Sequence, residues 1–512
     1  MDYRINKEEL AVCTTVLDGC QEQPVDLDFS LPDYCPDIQR ILKCQVYPTI
    51  QMKNISGDRL DVDGVYVVKI IYLDSERMAI RCCEHSSPFS SSFQMKGDVM
   101  DPVAFTKTKV EYLNCRAVSP RKLDIHGAFS VCAKVVGRQN QQVVCGVEGD
   151  DLQQMKKPVT AGSVVCTAQQ QFSISEVLEI SQGKPEAQSI VRVDATPIVH
   201  DTKIIANKLI IKGEAVVKVL YSASLDEGEL ETMEYTIPVS QIIDADGLRE
   251  DSTCSLKLEV LGCEIQIRED SSGEANLLSM DLKIAATVLA FEDKAFEIVT
   301  DGYSTDYETE LSYGTNEFER LLESTNDTCV SKNAFELGDD SVSKIVDVWN
   351  EIINVNAQKE ENKIVFKGKY NVCVLAVGAE DTPFYKEKMV EFEFSREFAG
   401  NDEQLRISSD AFISSISYRI TGASELEVRV ELSLQADIYA ADSFKSVLSI
   451  EAFEDRPKTK DASAALVIYY ADKGEAIWNI ARDYCTSIEA IKQENELDCD
   501  VLENRQMLLI PV

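Results

Sequence analysis

Internal repetition constrains the fold of this chain more than any other feature of its sequence. Three segments combine a glycine with a run of β-branched and aromatic residues, and they lie at 59–72, 208–221 and 363–376. The shared glycines are Gly64, Gly213 and Gly368. A pair of aliphatic residues precedes each glycine, with its first member 23 residues upstream, at Ile41, Ile190 and Ile345. Because chance would not preserve that offset three times, we interpret the chain as three copies of one domain.

The pattern inside each copy is mostly that of β-strands. The runs 65–72 and 215–221 are rich in β-branched residues, and 425–434 alternates apolar with polar residues, as a half-buried strand does. The segment around the aliphatic pair of the third copy, at Ile345, differs because its apolar residues recur at helical spacing. This spacing predicts a short helix over 341–355. The expected fold class is therefore mainly β, with three tandem sandwich-like repeats that contain short helices.

Changes in composition give the expected domain boundaries. We predict an N-terminal segment over 1–22, followed by three repeats and a small C-terminal domain. The repeats are expected at 23–150, 165–305 and 325–455, and the last domain at 464–512. Polar or acidic stretches at 146–157 and 301–327 are interpreted as linkers between the repeats. A chain of 512 residues agrees with this division, since about 150 residues per domain is typical.

The net charge of −37 excludes some partners. Nucleic-acid phosphates and anionic lipids attract basic patches, so neither is an expected partner. The acidity either keeps the protein soluble or steers it toward a basic partner. The first ten residues lack the apolar core of an export signal, and no apolar stretch approaches the ~18 residues of a membrane span. We therefore expect no membrane insertion and a protein that remains where it is made.

The residue types that carry chemistry are not arranged as an active site. The 16 cysteines are scattered without a C-x-x-C pair, which favours reduced thiols that pack as small hydrophobes. The three histidines His85, His126 and His200 have no ligand spacing. We find no phosphate-binding loop and no nucleophile or zinc-protease motif. Acidic pairs such as Asp339 and Asp340 are interpreted as solvated loops. The prediction is a non-enzyme without metal or cofactor.

The last 47 or so residues have the order strand, helix, helix, strand. An apolar run over 466–470 predicts the first strand, and Gly474 the turn after it. Residues 475–484 carry apolar side chains on one helical face. Ser487 is placed to cap a second helix, and 507–510 closes as a strand before Pro511.

This stretch resembles the LysM domain family. The resemblance lies in Lys473-Gly474, Trp478-x-Ile480-Ala481, Ser487, Asn495 and the final Leu508-x-Ile510-Pro511. It implies a βααβ fold with a groove for N-acetylglucosamine glycans beside the first turn. The family usually has Asp followed by Thr or Ser where this chain has Glu475 and Ala476, and a Gly where it has Arg505. Loss of the hydroxyl removes a group that a sugar could use, so glycan binding is the disfavoured alternative.

Candidate binding residues follow from this placement. Trp478 is either an anchor for a partner or part of the domain's own core, since tryptophan is enriched in both settings. The strand or helix phase of Ile468, Ile477 and Tyr484 favours the core. Glu475 and Ala476 are expected in an exposed turn. The predicted partner-binding set consists of Gly474, Glu475, Ala476, Ile477, Trp478 and Ile468.

Nearly the full chain resembles the spore-coat SPOCS-domain family, and in particular its morphogenetic members that end in LysM. The first repeat carries the resemblance in LPDYCPDI at 31–38 and NCRAVSPRKL at 114–123. The resemblance implies a coat-assembly adaptor in the mother-cell cytoplasm, at the forespore surface. It also implies that LysM binds the basement-layer coat ATPase, sporulation stage IV protein A, and that the repeats contact other coat proteins. The alternative is a protein that binds peptidoglycan or chitooligosaccharide at the wall or cortex.

Overall fold

The structure is a computed structural model of the chain. It describes residues 3–224, 228–337, 342–378, 380–400, 404–422, 424–459 and 465–511. Asp339, Asp340 and Ser341, named in two of the predictions above, lie outside these residues. None of the helices among the described residues is long and apolar enough to cross a membrane.

Three successive units of six antiparallel strands make up most of the chain. Unit 1 contains β1 (Arg4–Ser30), β2 (Ile38–Ser56), β3 (Arg59–Asp74), β4 (Ile80–Gln94), β5 (Met100–Ser119) and β6 (Lys122–Glu148). Unit 2 contains β7 (Leu152–Glu179), β8 (Ser189–Ile205), β9 (Lys208–Ser224), β10 (Glu229–Asp244), β11 (Thr253–Arg268) and β12 (Leu277–Ser304). Unit 3 contains β13 (Tyr307–Glu336), β14 (Val342–Glu360), β15 (Lys363–Gly378), β16 (Pro383–Glu397), β17 (Leu405–Ile420) and β18 (Glu425–Pro457).

Each unit is a sandwich of two three-stranded sheets. The first strand pairs with the sixth, which also pairs with the fifth, and the second, third and fourth strands form the other sheet. The apolar sides of the two sheets face each other and enclose the core of each unit, which in unit 2 is divided into two clusters. The predicted mainly β class with three repeats is therefore confirmed.

The strand bounds differ from the boundaries expected from composition. The segment 1–22 is not separate, because β1 begins at Arg4 and pairs along its length with β6. The stretches interpreted as linkers lie mostly in strands, and only short turns join β6 to β7 and β12 to β13. Most of their polar residues lie on the exposed side of these long strands, although Ser304 and Asn316 are buried, and this exposure explains their loop-like composition. We propose unit boundaries at 4–148, 152–304 and 307–457.

The helix predicted over 341–355 is wrong, because residues 342–355 belong to β14. The pairing of β14 with β15 shifts register between Val342 and Lys344, between Ile345 and Asp347, and between Ile352 and Asn354. Each shift interrupts the alternation of buried and exposed residues. The apolar residues consequently recur at a spacing that imitates a helical face.

The three units pack around a common axis, although they follow one another in sequence. Ile71, Leu220 and Leu375 occupy equivalent positions and share one core cluster. Polar contacts link the units in a closed cycle. The Lys69 amine donates to the Val191 carbonyl (2.6 Å), the Lys218 amine to the Val348 carbonyl (2.5 Å), and Lys43 forms an ion pair with Glu387 (2.7 Å). The chain thus has the pseudo-threefold form of a trimer built from one polypeptide.

Two cysteines form a disulfide, which corrects the expectation that every thiol is free. Cys20 of β1 and Cys132 of β6 are joined, while the other 14 cysteines are unpaired. The two residues are directly opposite in the antiparallel ladder, with Cα atoms 4.0 Å apart. Directly opposed positions without backbone hydrogen bonds bring side chains close together. At the equivalent place in unit 2, the Gln169 amide donates to the Thr287 hydroxyl (3.3 Å).

We expect alkylation of the denatured, unreduced protein to label 14 cysteines, and labelling after reduction to reach 16. Intact-mass spectrometry measures both numbers, and peptide mapping should place the protected pair at Cys20 and Cys132. A Cys20→Ser variant should gain one label at Cys132 without reduction. Equal labelling of the wild type with and without reductant would contradict the pairing.

Candidate functional site

The C-terminal domain has the predicted βααβ order. Its elements are β19 (Leu466–Ala471), α1 (Ile477–Asp483), α2 (Ile488–Asn495) and β20 (Gln506–Pro511). The predicted cap is confirmed, since the Ser487 hydroxyl accepts a hydrogen bond from the amide of Ala490 (3.1 Å). The Asn495 side chain holds β20 in place through the backbone of Leu509, donating to its carbonyl (2.6 Å) and accepting from its amide (2.7 Å).

Both helices pack on one face of the two-stranded sheet. Ile477, Ala481 and Ile491 are fully buried between them, as the helical phase of Ile477 predicts. The same cluster contains Tyr303, which belongs to β12 of unit 2. The Tyr303 hydroxyl donates to the backbone carbonyl of Thr486 (2.8 Å), between the two helices. Burial raises the pKa of Tyr303, so this phenol remains a donor at every ordinary pH.

Trp478 is only 5% exposed and contacts the body of the protein. Its indole Nε1 donates to the Asp301 carboxylate (2.9 Å), and its ring lies edge-on to Tyr303 with 5.0 Å between centroids. Arg482, one helical turn further along α1, forms an ion pair with the same carboxylate oxygen (3.2 Å). Trp478 thus belongs to the buried cluster of the domain and also contacts unit 2, and its role toward a separate partner stays a prediction.

The turn at Gly474 is largely occupied by contacts within the domain. Gly474 has a positive φ of 91°, which explains a glycine at this turn. The amides of Gly474 and Ile477 donate to the carbonyls of Leu502 (2.8 Å) and Asp500 (2.9 Å). Ala476 precedes α1 without a side-chain cap and forms a β-bridge with Val501. These amides are therefore not available to a ligand.

The Glu475 side chain is also engaged within the domain. Its carboxylate accepts hydrogen bonds from the Tyr469 hydroxyl (3.2 Å) and the Asp472 amide (3.2 Å). Desolvation and the nearby Glu475 carboxylate raise the pKa of Tyr469, which keeps its hydroxyl protonated. Arg505, where the LysM pattern has glycine, forms an ion pair with Asp472 (3.2 Å). The side chains around the turn thus stabilise the turn itself.

The opposite side of the two-stranded sheet carries exposed apolar side chains. Ile468 is 59% exposed, contrary to the expectation from its phase that it belongs to the core. Its exposed apolar neighbours on the same two strands are Leu466, Tyr470 and Met507. Tyr470 lies opposite Met507 in the antiparallel pairing, which makes the patch continuous across both strands. We call these four residues the outer face.

Sequence reasoning placed only Ile468 of the outer face among the candidates. The run 466–470 is apolar at every position, so strand phase alone does not tell the buried side from the exposed one. One signal was available, because a two-stranded sheet covered by two helices on one side must expose its other side. A contiguous group of large apolar residues on that side is a candidate interaction surface.

Comparison with known families identifies two kinds of domain. The model of the family described as "SipL, SPOCS domain" matches residues 37–118 and 186–268, which lie in units 1 and 2. The LysM domain model matches residues 469–511. No curated protein and no solved structure matches the chain. Unit 3, outside both matches to the SPOCS model, has the same order of six strands in two sheets. The chain thus combines SipL-type SPOCS domains with a C-terminal LysM domain.

Proposed function

We propose that this protein is a non-enzymatic adaptor of spore coat assembly. Its SPOCS and LysM domains belong to non-catalytic families and associate the chain with sporulation. In this proposal it acts in the mother-cell cytoplasm at the forespore surface. The LysM domain binds the basement-layer coat ATPase, sporulation stage IV protein A, and the three units offer surfaces to other coat proteins.

The exposed outer face of the LysM domain is the observation that carries the proposal. Its four apolar side chains form a patch that has no partner among the described residues. Over 465–511 the domain has nine acidic and four basic side chains, so its net charge is negative. A fitting partner surface is therefore apolar at its centre and basic at its rim.

The geometry of the first turn supports a protein partner over a glycan. Glycan recognition requires free polar groups beside that turn. The Gly474 and Ile477 amides and the Glu475 carboxylate are engaged within the chain. Of the predicted set, Ile468 is the residue we retain as a direct contact. Trp478 and Ile477 act in this proposal by holding the domain in shape and position.

We expect Ile468→Glu to weaken binding of the full-length protein to the purified basement-layer ATPase by about thirtyfold, or ~2 kcal/mol. A carboxylate at the centre of an apolar contact would be buried without a counter-charge. Surface plasmon resonance with the ATPase immobilised measures the loss. The matched control is Val118→Glu on β5 of unit 1, where the wild-type side chain is similarly exposed, at 61%.

Two results would contradict the proposed role of the LysM domain. If Ile468→Glu binds as tightly as Val118→Glu, the outer face is not the docking surface. Calorimetry of the full chain with chitooligosaccharide tests the alternative function. Saturable heat that is lost in a Glu475→Ala variant would replace the proposed adaptor role of LysM with glycan binding.

A further inference from the structure

We propose that the LysM domain is latched onto unit 2, and that this latch fixes the direction in which the outer face points. The latch consists of Asp301 and Tyr303 on β12 together with Trp478 and Arg482 on α1. It goes beyond the proposed function, since it concerns how the domain is held and not what the domain binds.

Asp301 is the polar centre of the latch. One carboxylate oxygen accepts from the Trp478 indole (2.9 Å) and from Arg482 (3.2 Å). The other accepts from the Tyr313 hydroxyl (3.1 Å) on β13 of unit 3. The LysM domain is thus held at the junction of two units. An indole and a guanidinium on one shared carboxylate fix orientation as well as distance.

Tyr303 is the apolar centre of the latch. It is 1% exposed and lies in the LysM core cluster, although it belongs to a SPOCS unit. Its ring packs edge-on against Trp478, and its hydroxyl donates to the Thr486 carbonyl. Lys458, where the chain leaves unit 3, donates to the Ser304 carbonyl (2.8 Å), and its amine lies 5.6 Å from the centroid of the Tyr303 ring. These contacts combine burial with directional bonds at one place.

The latch residues are specific to unit 2. Aligned along the sixth strand of each unit, Asp301 corresponds to Gly146 and Ser449. Tyr303 corresponds to Glu148 and Glu451 at the same alignment, and both glutamates are exposed. A LysM helix at either equivalent place would meet a carboxylate where it needs an aromatic ring. Of the three equivalent positions, only the one on unit 2 therefore fits the LysM domain. This fixes the orientation of the outer face relative to the three units.

The two tryptophans of the chain allow a direct test. In a Trp349→Phe background, Trp478 is the sole tryptophan and reports its own environment. Because the latch buries Trp478, we expect its fluorescence emission to be blue-shifted and only weakly quenched by acrylamide. Adding Asp301→Ala or Tyr303→Ala should shift the emission to the red and raise the quenching constant severalfold. Tyr303→Phe keeps the ring but loses the bond to Thr486, so its effect should be intermediate.

Glu451→Ala is the matched control at the equivalent place in unit 3, and it should leave Trp478 emission unchanged. Hydrogen exchange across β19 and β20 distinguishes release of the domain from its unfolding, because their amides stay protected only if the domain remains folded. Strong quenching of Trp478 in the Trp349→Phe background would overturn the proposal, as would unchanged emission after Tyr303→Ala. Neither measurement involves the coat ATPase, so failure of the latch is distinct from failure of the docking role.

Discussion

Replacement of Asp347 by alanine is expected to lower the free energy of unfolding by about 3–5 kcal/mol. Asp347 is 2% exposed on β14 of unit 3 and lies 2.5 Å from an Arg192 nitrogen and 2.6 Å from the Lys218 amine, both of unit 2. The guanidinium also lies over the ring of Trp349, 4.4 Å from its centroid. Removing the carboxylate leaves the Lys218 amine without this counter-charge and leaves Arg192 only its ion pair with Asp194 (2.7 Å), which costs more than the loss of the Asp347 pairs themselves.

The pH dependence of this contribution has a definite sign. Burial raises the pKa of the Asp347 carboxyl, but the charges of Arg192 and Lys218 lower it further, and the result lies below the usual value. The stabilisation is therefore complete above the pKa of an unfolded aspartate, about 4, and is lost as the pH falls through the lower folded value. Urea denaturation of wild type and variant should show a gap that is constant near neutral pH and narrows in acid.

Asp244→Ala provides the matched control, because its ion pair with Lys208 is exposed. The Asp244 side chain is 74% exposed and lies 2.7 Å from the lysine amine. Exposed pairs of this kind contribute about 0–1 kcal/mol. Equal losses of stability in the two variants would mean that the contact between units 2 and 3 does not depend on the buried pair.

The repeats and the LysM domain could be predicted from sequence because each depends on local patterns. Each unit repeats the same local pattern. It consists of a glycine that lies close to the backbone of the neighbouring strand, followed by a run of strand-forming residues. The LysM resemblance likewise depends on turn and cap residues, such as Gly474 and Ser487, whose roles are set within a few positions. Their conformations are fixed by short-range sterics and hydrogen bonds.

The remaining features depend on contacts between distant parts of the chain. The bulges in β14 arise from its pairing with β15. They change the spacing of its apolar residues from the alternation of a strand to one that resembles a helix. The burial of Trp478 depends on Asp301 and Tyr303, which are more than 170 positions away. The disulfide depends on the register that places Cys20 opposite Cys132. A single sequence contains these residues but does not show that they lie close together in the fold.

Gly213→Ala is expected to destabilise the protein by about 3 kcal/mol, the upper end of the cost of overpacking. The glycine lies on β9 opposite Val199, where the pairing with β8 shifts register before Asp201. A Cβ atom here would lie well under 3.0 Å from the carbonyl oxygen of Ile198. Because that oxygen is part of the backbone, relief requires the bulge itself to move. Gly64 likewise lies beside a bulge, next to the carbonyl of Thr49. Gly368 lies opposite Val355, one residue pair from the bulge between Ile352 and Asn354, and a Cβ atom there would meet the carbonyl of Asn354.

Gly262→Ala, on β11 of the same unit, separates this clash from the general effect of replacing glycine. A Cβ atom at Gly262 meets nothing within 4 Å, and its φ is not positive. The substitution reduces the freedom of the unfolded chain, so we expect a gain of about 0.4–1 kcal/mol. Urea denaturation should therefore place the two variants on opposite sides of the wild type. If Gly213→Ala is as stable as Gly262→Ala, the repeated glycine does not owe its place to the bulge, and the close approach that unifies the three units would have no energetic role.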